Sequence, residues 1–98
     1  YQPIKFNQLG VSYRQLGQFA KARAAYEKAM MLDPRYAEPV LNLGILNDLY
    51  VGDAAKAQTL YERYLALTPQ GDPAVSKWVA EIKKRKPSAA HAATKEAS

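Results

Sequence analysis

Apolar residues recur along the first two thirds of the chain with the period of an α-helix. Spacings of three and four residues place them on one face of each predicted helix, where they can form a core. The pattern therefore predicts an all-α fold. The predicted helices cover residues 3–15, 19–32, 36–50 and 53–67. The apolar positions of the first two are Phe6, Leu9, Tyr13 and Leu16, followed by Phe19, Ala22, Tyr26, Ala29 and Met30.

Residues that favour turns and caps separate these helices. Gly17 and Gly52 fall between the helices of each pair, where glycine can adopt the backbone conformation that ends a helix. Asp53 is a good N-cap for the helix after it. Pro34 and Pro69 end each pair, because proline cannot continue a helix. Each pair is therefore predicted to form a helical hairpin.

The two hairpins are copies of one unit, a pattern that indicates a repeat architecture. The first copy can be laid over the second if one residue is inserted between Gly44 and Gly52. The aligned positions are Phe6, Leu9, Gly10, Tyr13, Ala22, Tyr26, Ala29 and Pro34 in the first copy, and Val40, Leu43, Gly44, Ala57, Tyr61 and Pro69 in the second. An extra residue rotates all later side chains of its helix by about 100°, since a helix has 3.6 residues per turn. We therefore expect a bulge or an extra half-turn before Gly52.

The order and spacing of these residues resemble the tetratricopeptide repeat, a unit of about 34 residues. Residues 3–36 match every signature position. Residues 37–71 depart from the pattern at the inserted residue and at Tyr64, which stands where a small residue is usual. The resemblance implies a right-handed superhelical array of helix-turn-helix hairpins. It also implies that the first helix of each hairpin lines a concave face that holds an extended peptide or a partner segment.

Close packing explains why small and aromatic residues recur in this order. We expect Gly10 and Ala22 where the two helices of one hairpin cross, since a larger side chain would force the backbones apart. We expect Tyr13, Tyr26 and Tyr61 to contribute large buried rings to the core.

A fifth amphipathic helix is predicted after the second hairpin. Asp72 is a good N-cap and Pro73 fits the first helical position. Its apolar face consists of Ala74, Val75, Trp78, Val79 and Ile82. This helix, residues 72–86, would cover the end of the array, with Trp78 as its anchor. The helical domain would then comprise residues 1–86.

The two ends of the chain carry further expectations. Residues 87–98 are rich in alanine and contain no large apolar residue, so we predict a flexible tail. Nothing comparable to the fifth helix covers the first hairpin, and about three repeats are normally needed for stability. We therefore expect either further repeats upstream or pairing with another chain, which includes a homo-oligomer.

Composition excludes most kinds of chemistry. The 98 residues contain no cysteine and a single histidine, His91, so disulfides and a cysteine or histidine metal site are excluded. Carboxylates are scattered along the helices, and no catalytic cluster is predicted. No cofactor is expected. No apolar run approaches the roughly 20 residues needed to span a bilayer.

The resemblance places the candidate binding residues on the first helices and on the fifth helix. They are Asn7, Gln8, Val11, Leu41, Asn42, Ile45 and Lys77. The Asn42 amide can donate to and accept from an extended peptide backbone, and Lys77 can receive a carboxylate. Among the residues that clamp a terminal carboxylate in some members of the family, only these two are matched, so a full clamp is not expected. Arg14 and Asp48 are candidates for the rim, although the inserted residue leaves the direction of Asp48 open.

An alternative assignment remains for each of these positions. The polar residues can be ordinary surface groups, and an adjacent helix can bury the apolar ones, Val11, Leu41 and Ile45. Core packing is the safer expectation for those three.

Charge along the chain suggests a rival function. The net charge of +5 divides into +1 for residues 1–82 and +4 for residues 83–98. The basic run at 83–86 could tether the protein to nucleic acid or to an anionic membrane. Positive charge at a helix end also complements the helix dipole, and no aromatic residue interrupts the run for base stacking. Nucleic acid and membrane are therefore the less favoured partners.

The sequence thus predicts a non-enzymatic scaffold that binds a protein or peptide. The alanine-rich composition and the segment Tyr-Leu-Ala-Leu-Thr-Pro resemble bacterial assembly proteins of the same family, many of them associated with the cell envelope. This resemblance leaves the compartment open between the bacterial cytoplasm and the periplasm, and the partner unidentified.

Overall fold

The computed structural model describes the backbone of residues 1–94 and the side chains of residues 1–85. Five α-helices occur in that part of the chain, and no strand does. The helices are α1 (Gln2–Gln15), α2 (Phe19–Leu32), α3 (Ala37–Ile45), α4 (Ala54–Leu67) and α5 (Pro73–Thr94). A π-helical segment, the π-turn (Leu46–Val51), continues α3. The predicted all-α fold is confirmed.

The helices pair in sequence order. Helix α1 packs along α2, α3 packs along α4, α2 contacts α3, and α5 lies against α4. The chain therefore forms an array of two helical hairpins followed by a single helix. None of the helices within residues 1–94 has both the length and the apolar character needed to cross a membrane.

The same close contact joins the helices of both hairpins. A Cβ atom added to Gly10 would lie 2.5 Å from Cε1 of Tyr26, and one added to Gly44 would lie 2.7 Å from Cε1 of Tyr61. Both tyrosine rings are buried, as is Ala22 beside the first. The expected close crossing is confirmed, because neither glycine could carry a methyl group without moving a packed ring.

The core consists of two clusters that meet at Tyr64. The first lies between the hairpins and contains Ala22, Tyr26, Val40, Leu43, Leu46 and Leu60. The second lies between α4 and α5 and contains Ala57, Tyr61, Val75, Val79 and Ile82. Tyr64, which departs from the repeat pattern, packs against both clusters. Its hydroxyl group donates a 2.9 Å hydrogen bond to Asp72 Oδ2, so the larger side chain connects α4 to the start of α5.

Tyr13 differs from the expectation of a buried ring. Its side chain is only half-buried, packed at the margin of the first cluster. It lies on the outer side of the first hairpin, in a shallow depression that no other helix of the described residues covers. Its ring faces Lys21, whose Nζ is 5.8 Å from the ring centre.

The π-turn accommodates the extra residue of the second hairpin. Tyr61 follows Gly44 by 17 residues, whereas Tyr26 follows Gly10 by 16, yet the two contacts are equivalent. The Gly52 N–H donates to the Asn47 carbonyl five residues earlier at 2.8 Å, the bond that defines a π-helix. Gly52 itself has φ +83°, which a glycine adopts without strain. The expected bulge is confirmed.

Side-chain caps begin the last two helices. Asp53 Oδ1 accepts from the Lys56 N–H at 3.1 Å, and Asp72 Oδ1 accepts from the Val75 N–H at 3.3 Å. Helix α5 continues to Thr94 and does not end at residue 86 as expected. Alanine has the highest helix propensity, so a segment poor in apolar residues can still extend a helix. The rest of the predicted tail, residues 95–98, lies outside the described residues.

Candidate protein-binding face

Helices α1, α3 and α5 and the π-turn share one face of the array, called here the first-helix face. Asn42 Nδ2 donates a 3.0 Å hydrogen bond to Asn7 Oδ1 and so joins α3 to α1. Ile45 and Trp78 line one pocket and so join α3 to α5. The first helices of both hairpins and the last helix are therefore neighbours, and residues predicted to bind a partner lie on all three.

Asn7 is the most buried of the predicted binding residues, with 4% of its surface exposed. Its Nδ2 donates to the Tyr36 hydroxyl at 3.4 Å and to Glu38 Oε1 at 3.2 Å, while its Oδ1 accepts from Asn42. The amide is fully used inside the fold. Asn7 therefore positions Asn42 and leaves little surface for a ligand.

The tyrosine beside this amide is Tyr36, which lies next to Glu38. Burial, followed by the charge of Glu38, raises the pKa of Tyr36 above its usual value. The shift extends the protonated range of its hydroxyl further into alkaline pH. It also donates to Glu38 Oε1 at 3.4 Å, which completes a small polar network at the base of α3.

Asn42, Gln8 and Lys77 remain accessible to a partner. Asn42 is half-buried and uses one amide hydrogen on Asn7, while its Oδ1 accepts no hydrogen bond from the described residues. Gln8 and Lys77 are exposed. Lys77 forms no ion pair with any described side chain. These three polar groups can therefore meet a ligand without breaking the fold.

The apolar candidates are largely committed to packing. Val11 lies against the cluster between the hairpins, and Leu41 and Ile45 lie against the cluster between α4 and α5. All three are half-buried, as expected for core-facing residues. Ile45 in addition exposes part of its surface in a pocket.

This pocket, called here the α5 pocket, is an open depression of about 640 Å³ between the π-turn and α5. Its volume lies in the range of ligand pockets. Its lining combines apolar and aromatic side chains with two carboxylates and two cations. The lining residues are Ile45, Asp48, Leu49, Tyr61, Trp78, Glu81, Lys84 and Arg85.

Asp48 is the polar centre of the α5 pocket. Its Oδ2 accepts a 3.1 Å hydrogen bond from the Tyr61 hydroxyl, and its Oδ1 lies 3.6 Å from Arg85 Nη2. Burial raises the pKa of Tyr61 well above its usual value, and the charge of Asp48 and this hydrogen bond raise it further. The phenol is therefore a stable donor. Its ring centre lies 5.6 Å from that of Trp78, so the two rings form one wall.

Sequence reasoning missed most of this pocket. The sequence indicates Asp48 as a candidate for the rim but leaves the direction of its side chain open. It indicates Trp78 as a packing anchor and Arg85 as one cation of the basic run. It did not single out Leu49. The signal was present in the inserted residue, because the π-turn that absorbs it directs Asp48 and Leu49 toward α5. Arg14, the other rim candidate, donates instead to the Tyr50 hydroxyl at 3.5 Å.

The basic run at the end of α5 is partly neutralised by the rest of the fold. Lys83 Nζ lies 3.6 Å from Glu62 Oε2, and Arg85 pairs with Asp48 at the same distance. Both cations hold α5 to the second hairpin and are thus not fully available to phosphates. Among the side chains that the structure describes, no three His, Cys, Asp or Glu residues converge as metal ligands.

The chain is similar to one known family and to one known protein. The sequence model of the tetratricopeptide repeat matches residues 4–36, which comprise the first hairpin. A protein described as uncharacterized protein ycf37, from Pyropia yezoensis, is 36% identical over 62 residues. Those residues make up 63% of this chain and 34% of that protein. The chain thus spans about a third of the length of the curated relative that it matches.

Proposed function

The chain contains a tetratricopeptide repeat at residues 4–36, and from this premise we propose that it is a non-enzymatic scaffold for a protein or peptide. Tetratricopeptide repeats generally mediate protein–protein interaction. The partner would bind along the first-helix face. The observation that supports this proposal most strongly is that the open α5 pocket is lined by Ile45, one turn after Asn42 on α3, and by Glu81, one turn after Lys77 on α5.

Each part of this face would contribute a different interaction. Asn42 keeps its Oδ1 and one amide hydrogen for the backbone of an extended segment, while Asn7 fixes its orientation. A backbone contact of this kind tolerates many partner sequences. Selectivity would come from Lys77, which is exposed and able to receive a carboxylate, and from apolar contacts in the α5 pocket.

Site-specific photo-crosslinking tests this proposal. A photoreactive phenylalanine analogue replaces the exposed Gln8 on α1 in one variant and the exposed Glu27 on α2 in a matched control. Irradiation in the native cell extract should join a defined protein to the Gln8 variant and leave the Glu27 variant unmodified. Equal labelling of both variants would refute binding at the first-helix face.

The captured partner then tests the role of Asn42. Replacing Asn42 by alanine should weaken binding of that partner by about tenfold, the effect of one or two lost hydrogen bonds. Unchanged affinity would remove Asn42 from the binding site. A circular dichroism spectrum of the variant controls for loss of the link to Asn7.

Self-association is a second candidate, supported by the open side of the first hairpin. Leu9 is 41% exposed there. A depression of about 330 Å³, lined in part by Phe6 and Tyr13, lies on the same side. Another copy of the chain could cover this surface. Light scattering of the purified chain over a range of concentrations tests this candidate, and a monomer at all of them would refute it.

A further inference from the structure

The open side of the first hairpin, called here the open face, is the repeat equivalent of a surface that the fold buries elsewhere. Phe6, half-buried in the depression of the open face, aligns with Val40, which is fully buried in the second hairpin. Leu9 is 41% exposed on the open face, whereas its equivalent, Leu43, is 2% exposed. Val40 and Leu43 belong to the cluster between the hairpins. The first hairpin therefore presents to solvent the side by which the second hairpin packs against its neighbour.

The fold shows what kind of element covers such a surface. Helix α2 contributes Ala22 and Tyr26 to the cluster between the hairpins. Phe19 and Met30 of the same helix pack against the margin of that cluster. These four residues follow one another at spacings of three and four, so they form one apolar stripe along α2. By repeat equivalence, the open face fits an amphipathic helix that carries a stripe of this kind.

The charges of the open face have one sign. Lys21 and Lys28 line its depression together with apolar side chains and no carboxylate. Neither lysine forms an ion pair with any described side chain. Residues 1–32 contain five Lys or Arg and one Glu, whereas residues 33–71 contain three Lys or Arg and five Asp or Glu. The two lysines lie about 10 Å apart along α2, so a helix beside α2 could meet both of them, and carboxylates on it would complement their charge.

A second copy of the chain is less suited to the open face than an acidic helix. Two open faces packed together would bring Lys21 and Lys28 of both copies into one interface, where like charges repel. The stripe of α2 is already packed within its own fold. Arg23 lies beside that stripe and lines one depression with Lys56, the repeat equivalent of Lys21. An α2 helix placed on the open face would therefore set Arg23 against Lys21.

We propose that the open face binds an amphipathic helix of another protein, in which carboxylates flank the apolar stripe. The stripe packs on Phe6, Leu9 and Tyr13, and the carboxylates face Lys21 and Lys28. The open face is distinct from the first-helix face, so this proposal goes beyond the scaffold function and does not depend on it.

Three peptides with the sequence of residues 18–33 serve as probes, because α2 covers the equivalent surface of the second hairpin. A hydrocarbon staple between positions 24 and 28, on the side of α2 that lines the open face, holds each peptide helical. The natural peptide has no other change, and the acidic peptide carries Arg23→Glu beside the natural Glu27. The third peptide adds Phe19→Ala and Tyr26→Ala to the acidic one.

Fluorescence anisotropy of the labelled peptides, with the chain added up to millimolar concentration, measures their binding. We expect the acidic peptide to bind about fivefold more tightly than the natural peptide, because the charge that meets Lys21 is reversed. We expect it to bind at least about tenfold more tightly than the third peptide, which lacks the large apolar groups. Equal binding of all three peptides, or no binding of the acidic one, would overturn the proposal.

Paired variants of the chain locate the binding surface. Leu9→Ala should weaken binding of the acidic peptide about tenfold, whereas Met31→Ala, which removes a side chain that is 72% exposed, should not change it. Lys28→Glu should weaken the same peptide about fivefold, and Arg63→Glu, at the equivalent position of α4, should leave its affinity unchanged. All four side chains are exposed, so the variants are expected to fold. Binding that is insensitive to both Leu9→Ala and Lys28→Glu would refute the assignment to the open face.

Two further measurements test the other possible occupants of the open face. A dimer in light scattering that Leu9→Ala abolishes would assign this surface to a second copy of the chain. Co-sedimentation with vesicles of phosphatidylcholine and phosphatidylglycerol in equal parts that Leu9→Ala abolishes would assign it to an anionic membrane. Either result would overturn the proposal, which expects a monomer that leaves the vesicles unbound. Failure of capture at Gln8 would count against the scaffold function alone.

Discussion

Removal of one hydroxyl group from each of two equivalent tyrosines tests how the second hairpin is held together. Tyr26 and Tyr61 occupy the same position in the two hairpins, each against a glycine of the preceding helix. The Tyr61 hydroxyl donates to the Asp48 carboxylate, whereas the Tyr26 hydroxyl is buried near the Arg14 guanidinium without forming a hydrogen bond of good geometry to it. Tyr61→Phe and Tyr26→Phe therefore delete the same atom from two different environments.

The expected changes in the free energy of unfolding differ in size. A hydrogen bond to a charged group contributes about 1.5–3 kcal/mol. The Asp48 side chain is 17% exposed and keeps Arg85, so Tyr61→Phe should cost about 1.5 kcal/mol, the lower end of that range. Tyr26→Phe removes a buried hydroxyl whose charged neighbour, the Arg14 guanidinium, keeps its bond to Tyr50, so its cost should be smaller, at most about 0.5 kcal/mol.

Urea denaturation and thermal unfolding, both followed by circular dichroism at the helix band, measure both variants. A loss of about 1.5 kcal/mol should lower the Tm of a domain of this size by about 6–12 °C. The slope of the transition should be unchanged, because the surface exposed on unfolding is the same. Equal destabilisation by both variants, or a larger loss for Tyr26→Phe, would refute the assignment of the hydrogen bond to Tyr61 alone.

Three further predictions concern packing, capping and pH. Gly44→Ala should destabilise the chain by about 1–2 kcal/mol, since overpacking against Tyr61 costs more than alanine gains in helix propensity, and a stabilised variant in urea denaturation would contradict the contact. Asp72→Ala should lower the Tm more than Asp53→Ala, because Asp72 both caps α5 and accepts a hydrogen bond from Tyr64. Asp53 provides a cap alone, which contributes about 1 kcal/mol. Equal losses of Tm would show that the Tyr64 hydrogen bond contributes nothing. Because the pKa of Tyr61 is raised in the folded chain, its phenol ionises at a lower pH in the unfolded chain. The contribution of Tyr61 to the free energy of unfolding is therefore complete below about pH 10 and is lost as the pH rises further. Between about pH 8 and pH 11 the free energy of unfolding should therefore fall less for Tyr61→Phe than for the unmodified chain. Identical dependence of this free energy on pH in both proteins would contradict the burial of Tyr61.

The helices and their crossings could be predicted from local pattern and composition. Apolar spacing placed the hairpins within two residues, and the small size of Gly10 and Gly44 indicated the close contacts with tyrosine. Apolar content alone predicts an end of α5 near residue 86, whereas the helix continues to Thr94. Alanine contributes little to a core but favours a helix, so the two criteria disagree over residues 87–94.

The binding face was harder to predict because its details depend on contacts distant in sequence. Asn7 was assigned to the ligand, yet its partners Tyr36 and Glu38 lie about 30 residues away and bury it. The inserted residue indicated a bulge, but it did not specify how the rotation would be shared among the residues of the π-turn. The side-chain directions of Asp48 and Leu49 depend on how the π-turn distributes this rotation and on their contacts with α5. A local sequence pattern describes neither.

Tyr64 makes the stability of the two halves of the array interdependent. In linear repeat arrays each unit contacts only its neighbours, and cooperativity depends on the surfaces between them. Because the Tyr64 ring belongs to both clusters and its hydroxyl holds the start of α5, detachment of α5 withdraws support from the junction between the hairpins. Backbone amides of α3 and α5 should therefore exchange with deuterium in a single concerted opening, so that the array unfolds from its end as one unit and not helix by helix.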